Sequence, residues 1–245
     1  KMVKKIRLDQ LMISKGFARS NKEAEIILNS KKIRVKNFNS TNLFSHTLVQ
    51  INSELIIDES KFVSRGGEKL NNFFDDVEID FKFNTCIDIG ASTGGFTDVL
   101  LKKGAQRIYC IDSGINQIHP SLHRNPKVFS YEKVNARNDL KLPIEKADLI
   151  VMDVSFISTL KIMPNLIKFM KNESYIIVLV KPQFEAKKSQ VEQGGIISDP
   201  HVHADVLNIL LSGYKKMGLS FIEIKKSRVL GRKGNQEFFC VLKIL

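Results

Sequence analysis

The residues most able to do chemistry in this 245-residue chain lie just past the ends of apolar runs. The run Cys86-Ile87-Asp88-Ile89 passes into Gly90-Ala91-Ser92-Thr93-Gly94-Gly95-Phe96, a glycine-rich turn that opens a helical stretch. Glycine lets the backbone pass close to a ligand, and a helix start offers free N–H groups to a carboxylate or phosphate. The spacing is not G-x-G-x-x-G, which disfavours a nicotinamide site, and no Gly-Lys-Ser/Thr is present to make a triphosphate loop. Asp112 ends the next apolar run roughly 20 residues on, where an acid can accept hydrogen bonds from both hydroxyls of a ribose. Asp153 follows Leu149-Ile150-Val151-Met152, and Lys181 follows Ile176-Ile177-Val178-Leu179-Val180. Lys69 sits in Ser64-Arg65-Gly66-Gly67-Glu68-Lys69-Leu70, and Glu237 opens the last apolar run. Sheets wound in both directions place their sites just beyond strand ends.

The elements that must position these groups alternate. Strands are predicted at 85–89, 107–111, 128–131, 147–152 and 175–180, with a helix at 95–103 and a helical stretch from 153 to Met170. A long amphipathic helix, Pro200 to Met217, precedes two final strands, 221–226 and 238–242, which can form an antiparallel edge. Nearly every strand position is apolar, as expected of a parallel sheet covered on both faces by helices. The fold class is therefore α/β, with a doubly wound domain from about Ser64 to Leu245. The polar, glycine-bearing stretch Gln183 to Pro200 reads either as a flap over the site or as a loop without fixed structure.

The N-terminal part differs in charge. Lys1 to Lys36 holds eleven basic residues against three acids. Asp9 is expected to cap a short helix, Gln10 to Lys15, which Gly16 stops. Ser20 followed by Glu23 is a capping box for a second helix with Ala24, Ile27 and Leu28 inward. Short strands are expected at 33–35, 48–51 and 55–57. The series Arg7-Leu8-Asp9, Gly16, Ala18-Arg19-Ser20, Ala24 and Ile33-Arg34-Val35 resembles the alpha-L (S-four type) RNA-binding domain, whose paired helices present basic residues to phosphates. That family often has Val-Asn-Gly at its hairpin; here Val35-Lys36-Asn37 is followed by Phe38. The resemblance implies RNA contacts by Arg7, Lys15, Arg19, Lys22, Lys32 and Arg34.

An acid directly before the turn, Asp88-Ile89-Gly90, resembles the first motif of S-adenosylmethionine-dependent methyltransferases. In that reading the cofactor meets Asp88, Gly90, Ala91, Ser92, Thr93, Gly94, Gly95, Phe96 and Asp112. Asn135-Ala136-Arg137 lies where such enzymes approach the adenine. Val63 to Gly67, Gly90 to Asp98, Asp153 to Ser158, Val180 to Glu185 and Gly194 to Pro200 together resemble the TlyA family over essentially the whole chain. The resemblance implies a Rossmann-like methyltransferase sheet with a small α+β N-terminal RNA-binding domain, divided as 1–59, a linker at 60–63, and 64–245. In the linker Phe62 stands where the family often has tryptophan, and Ser60 where it can have arginine.

The same resemblance implies 2′-O-methylation of ribosomal RNA by a tetrad, Lys69, Asp153, Lys181 and Glu237, with Arg65 as a further RNA contact and cytidine as the target. Lys181 would steer the ribose hydroxyl and take its proton, desolvation and the charge of Lys69 favouring its neutral form. Asp153 and Glu237 would orient the lysines and balance their charge.

Composition narrows the alternatives. A formal net charge of +12 points to a polyanionic partner, here ribosomal RNA or the ribosomal subunits. The longest apolar run, Tyr175 to Val180, is far shorter than the roughly 20 residues a spanning helix needs. Lys1 to Arg7 lacks the apolar stretch of a secretory signal. Cys86, Cys110 and Cys240 are expected as buried, reduced thiols of a cytoplasmic protein, and no Cys/His spacing suggests a metal. TlyA members often carry a haemolysin name, but no strongly amphipathic cationic helix supports membrane lysis. A pseudouridine synthase would need an Arg-Leu-Asp in the large domain; Arg7-Leu8-Asp9 is the only such triplet. A non-catalytic ribosome-assembly factor is the remaining rival, and the intact tetrad and glycine turn oppose it.

Overall fold

A computed structural model describes residues 4–29, 33–36, 38, 43–57 and 61–244. In chain order the elements are β1 (Lys5–Arg7), α1 (Leu8–Ser14), α2 (Asn21–Asn29), β2 (Ile33–Val35), β3 (Leu48–Gln50), β4 (Leu55–Ile57) and α3 (Arg65–Asp76). There follow β5 (Thr85–Ile89), α4 (Gly95–Lys102), β6 (Arg107–Ile111), α5 (Pro120–His123), β7 (Val128–Tyr131), β8 (Leu149–Met152) and α6 (Met163–Ile167). The chain closes with β9 (Tyr175–Val180), α7 (Pro182–Glu185), α8 (Pro200–Lys216), β10 (Leu219–Lys226) and β11 (Phe238–Ile244).

Seven strands form one sheet in the order β10-β11-β9-β8-β5-β6-β7. The five from β9 to β7 are parallel; β11 runs antiparallel to β9 and to β10, which makes the expected antiparallel edge. Alternate strand residues face opposite layers. Ile87, Ile150, Ile176 and Val178 pack with Met163 and Leu166 of α6 and with Val206, Leu210 and Tyr214 of α8. Cys86, Ile108, Leu149 and Ile177 pack with Leu70 and Phe73 of α3 and with Phe96, Val99 and Leu100 of α4. Burial on both faces explains the unbroken apolar runs, and each fully buried Leu, Ile or Phe contributes about 1.5–3 kcal/mol. The sheet is therefore doubly wound, as the alternation of elements predicts. The three cysteines are buried in these layers, and burial pushes their thiols up.

The N-terminal part has its own core of Leu8, Leu11, Met12, Ala24, Leu28, Ile33, Val35, Val49 and Leu55, with β1 paired to β3 and β2 to β4. Asp9 does not cap α1. The helix begins at Leu8, and Asp9 turns inward in its first turn, where the Arg7 guanidinium grips it at 3.1 and 2.6 Å and holds it below the usual carboxylate range. Gly16, at φ +78°, ends α1 as expected. Ser20 Oγ accepts from Glu23 N, but the Glu23 carboxylate reaches Arg19 N, so the capping box is displaced by one residue. The helical stretch after β8 is broken: a single 3-10 turn at Thr159–Lys161 precedes α6, which Pro164 then starts afresh.

Four of these strands and α-helices were not predicted, β1, α3, α5 and α7, and α3 matters most. Phe62 is buried against α3, and Val63 N donates to Asp98 Oδ2 at 2.8 Å, which ties the entry to α3 onto α4. The two helices cross where neither can carry a side chain. A Cβ on Gly67 would lie 2.6 Å from Phe62 Cβ and 2.8 Å from the Gly95 carbonyl; one on Gly95 would lie 2.2 Å from Ser64 Oγ. The neighbouring Gly66 would meet nothing closer than 3.5 Å. Gly67→Ala should therefore destabilise by about 1–3 kcal/mol through overpacking, read in thermal melts at about 2–4 °C per kcal/mol. Gly66→Ala should stay within about 1 kcal/mol of the parent, helped by its higher helix propensity. Equal melting temperatures for the two variants would refute the close crossing.

Candidate active site

The strand order reverses between β5 and β8, and at their carboxyl ends lies a cleft of about 610 Å³. The turn after β5 builds one wall. Gly90 has φ +77°, and a Cβ there would come within 2.5 Å of the Asp153 carbonyl, so the chain at the end of β8 leaves room only for glycine. Gly94, at φ +91°, caps α4, and its Cβ would strike the Leu122 side chain at 2.3 Å. Ala91, Ser92, Thr93, Gly95 and Phe96 line the cleft with Gly90; Gly94 lies behind them.

Two acids stand at this wall. Asp112, at the end of β6, accepts from Ser92 N through Oδ2 (2.8 Å) and from Gly114 N through Oδ1 (2.7 Å). Both oxygens are held in place and each keeps a lone pair for hydroxyl donors. Asp88 is fully buried; Oδ2 accepts from Thr97 Oγ1 at 2.7 Å, whereas Oδ1 has no partner. Burial pushes its pKa up to about 7; the Thr97 hydroxyl opposes this, and the charges of Asp153 and Asp112 add to it. A buried acceptor without a donor is costly, and it fits a ligand that brings a cation or an N–H to this point. Asn135 and Ala136 also line the cleft. Asn135 Oδ1 accepts from Arg137 N at 3.0 Å, and Asn165 holds the Ala136 carbonyl, so the turn is fixed, but the Arg137 side chain lies outside the lining.

Lys69, Asp153, Lys181 and Glu237 come from α3, the end of β8, the end of β9 and the approach to β11, and all four line the same cleft. Lys69 Nζ and Glu237 Oε2 are 2.6 Å apart, with only 11% and 3% of their side chains exposed. Gly231 permits this placement, since a Cβ there would sit 2.2 Å from Glu237 Oε1. Lys181 Nζ is 2.6 Å from Asp153 Oδ1, an ion pair by distance, yet that oxygen receives no well-angled hydrogen bond. The directed bond from Lys181 goes to Ser155 Oγ at 3.0 Å, so Asp153 Oδ1 keeps a lone pair for another donor. Each lysine thus has its own carboxylate beside the glycine turn, and the arrangement can hold a hydroxyl and offer its proton the Asp153 carboxylate.

Sequence reasoning assigned no role to several cleft residues. Phe156 has φ +65° and is 89% exposed, with its ring 4.7 Å from that of Phe184. A bulky residue in the left-handed region costs about 1–2 kcal/mol, and an aromatic ring open to water at a cleft rim is a platform for another flat ring. Gln117, Ser155 and Phe184 also line the cleft. Phe156 lies between Val154 and Ile157 in the strand-end loop, so no local signal in the sequence marks it.

The 183–200 segment has fixed structure. Asn235 grips it by accepting from Ile197 N and donating to the Gly195 carbonyl, at 3.0 and 2.8 Å. Of the expected RNA contacts, Arg65 stands at the cleft, where its Nη2 donates to the Leu230 carbonyl at 3.1 Å. Arg7, Lys15, Arg19, Lys22 and Arg34 are exposed on the N-terminal part, Arg7 being engaged with Asp9, and Lys32 lies outside the described residues. No described helix is long and apolar enough to cross a membrane.

The sequence profile of FtsJ-like methyltransferases matches residues 62–244. The chain is 37% identical over 235 residues to hemolysin A of Brachyspira hyodysenteriae, covering 95% of this chain and 98% of that one. It is 34% identical over 246 residues to the 16S/23S rRNA (cytidine-2′-O)-methyltransferase TlyA of Mycobacterium tuberculosis, covering 99% of this chain and 91% of that one. The solved structure of a hemolysin-named protein from Streptococcus thermophilus superposes with a TM-score of 0.74 at 30% identity, covering 99% of this chain and 90% of that one. With the sheet order, the glycine turn and the paired lysines already in place, these matches mean that the chain belongs to the FtsJ-like methyltransferase family, in its TlyA branch.

Proposed function

We propose that the protein methylates a ribose 2′-hydroxyl, that of a cytidine, in structured ribosomal RNA, using S-adenosylmethionine. The observation that carries this reading is the meeting of two half-sites in one cleft: the glycine turn with Asp88 and Asp112, and two half-buried lysine–carboxylate pairs. When bound, S-adenosylmethionine supplies an electrophilic methyl group on a sulfonium. The glycine turn, Asp112 and Asn135-Ala136 would hold it, with the partnerless Asp88 Oδ1 facing its cationic end.

The hydroxyl is a poor nucleophile, and positioning it in line with the methyl group can contribute roughly 7–11 kcal/mol. Lys181 directs the hydroxyl. During methyl transfer the Lys181–Asp153 pair would take up the proton of the hydroxyl. Lys69 and Glu237 hold a second balanced charge beside it, and the Phe156 ring offers the target base a stacking surface. In this reading residues 1–59 bind RNA through Arg7, Lys15, Arg19, Lys22, Lys32 and Arg34, residues 60–63 link the domains, and 64–245 catalyse with Arg65 at the RNA side. The work would be done in the cytoplasm, on ribosomal subunits.

Methyl transfer from labelled cofactor to unmodified ribosomal subunits tests this reading. Lys181→Ala should lose about 10²–10⁴-fold in rate, with the product ribose resistant to alkaline cleavage. Incorporation on a base rather than a ribose would exclude the proposed reaction, and an undiminished Lys181→Ala rate would exclude the role of that lysine.

Asp88 yields a pH test. Its carboxyl is half-protonated near pH 7, and a cation favours the charged form, so cofactor binding should release a proton. Affinity measured by calorimetry should rise from pH 6 through 7 and level off above about 8; in Asp88→Asn it should be weaker and flat. In the cofactor-free protein a raised carboxyl pKa means that stability falls as pH rises from the ordinary carboxylate range toward 7. Asp88→Asn should abolish that slope in thermal melts. A pH-independent affinity in the unsubstituted protein would place the cationic end elsewhere.

Phe156→Ala should raise KM for RNA by the equivalent of about 1–3 kcal/mol, the worth of one stacked base. Cofactor affinity should not change. An unaltered KM would leave the exposed ring without a part in RNA binding.

A further inference from the structure

One half-buried carboxylate beside the cleft belongs to none of the groups above. Glu185 ends α7, one residue past Phe184 and four past Lys181. Its Oε1 accepts from Thr159 N and from Thr159 Oγ1, each at 2.8 Å, and the Ser158 side chain bonds the same carboxylate. Thr159 and Tyr214 are almost fully buried, and their oxygens lie 2.6 Å apart. Because the Thr159 hydroxyl gives its proton to Glu185, Tyr214 is the donor to Thr159. A directed chain therefore runs from α8 through Thr159 to Glu185. Burial pushes the Glu185 pKa above the ordinary range, and the three donors pull it back.

The chain joins the two neighbouring loops that follow the adjacent strands β8 and β9. Ser158 and Thr159 close the loop after β8, which carries Asp153, Ser155 and Phe156. Glu185 closes the short helix after β9, which follows Lys181 and carries Phe184. The Lys181–Asp153 pair, the Lys181–Ser155 bond and the Phe156–Phe184 contact all span the same two loops. A left-handed backbone at Phe156 persists only where its surroundings over-determine it, and the residues two and three positions on are the ones held.

We infer that Glu185 is a positioning residue, whose hydrogen bonds to Ser158 and Thr159 set the spacing between these two loops and so hold Asp153, Phe156 and Lys181 in register. The inference rests on the methyl-transfer reading and adds to it a residue that touches neither cofactor nor RNA.

The test compares Glu185→Ala, Glu185→Gln and Thr159→Val with the unsubstituted protein. It measures kcat and KM on ribosomal subunits, cofactor affinity by calorimetry, and amide hydrogen exchange over residues 156–160. Glu185→Ala should lower kcat by about 10–100-fold, as expected of a small misplacement of reacting groups, with cofactor affinity kept and faster exchange at Thr159. Glu185→Gln retains an oxygen for both Thr159 donors and should restore most of the rate. An unchanged kcat in Glu185→Ala overturns the inference, and so does a Gln variant as impaired as the Ala one, which would mean that charge is at work. If Glu185→Ala fails to fold, Thr159→Val carries the same expectation of reduced kcat at retained cofactor affinity, and an unchanged kcat there overturns it equally. An unsubstituted protein that transfers no methyl group overturns the underlying function; the exchange rates at Thr159 tell that failure apart from failure of the clamp.

Discussion

Two lysines and two carboxylates share one cleft with between 3% and 23% of their side chains exposed, and the structure depends on each lysine having a carboxylate 2.6 Å away. Taking a charge out of water costs several kcal/mol, and leaving one partner alone costs about 3–5 kcal/mol. Four such groups cannot come together unless each pair is brought by rigid elements from separate parts of the chain. Lys69 rides on α3, Glu237 precedes β11, Asp153 follows β8 and Lys181 follows β9. The sheet is the rigid body that makes these meetings reproducible, since β8, β9 and β11 are held in fixed register by their ladders.

The glycines are the second half of that constraint. Lys69 reaches Glu237 only because α3 lies close on α4, and that contact is made by Gly67 and Gly95 with no side chain between. Gly231 yields to the Glu237 carboxylate, and Gly90 yields to the backbone at Asp153. The glycine turn and the lysine pairs are therefore not independent sites placed side by side. The same close approaches that shape the glycine-turn wall also bring the paired charges into range. The strained backbone at Phe156 belongs to the same economy of space, with Glu185 and Thr159 holding the residues just after it.

Most of the sheet was legible from residue order. Strands β5, β6, β7 and β9 fall on their expected residues because strands buried on both faces must be apolar at every position, with polar residues at their ends. Helix α3 was not legible, because Gly66 and Gly67 are poor helix formers and only packing against α4 makes them an asset. Asp9 was misread as a cap, because a local rule cannot see that Arg7 will grip it from the same turn. The expected helix after β8 broke into a 3-10 turn and α6, where Thr159 is claimed by Glu185 and Pro164 restarts the helix.

Residue types alone limited the chemistry: a glycine turn after a buried acid, an acid at the next strand end, and acids and lysines just past later strands. These are local patterns, and local patterns survive in one dimension. Which lysine meets which carboxylate is a matter of contacts across 168 residues for Lys69 and Glu237, so tertiary structure alone decided it. It also decided that Asp88 Oδ1 would be buried without a donor, that Phe156 would stand open at the rim, and that the Arg137 side chain would not line the cleft. Burial and partnership depend on what the rest of the chain places nearby, and that information is carried by packing rather than by residue order.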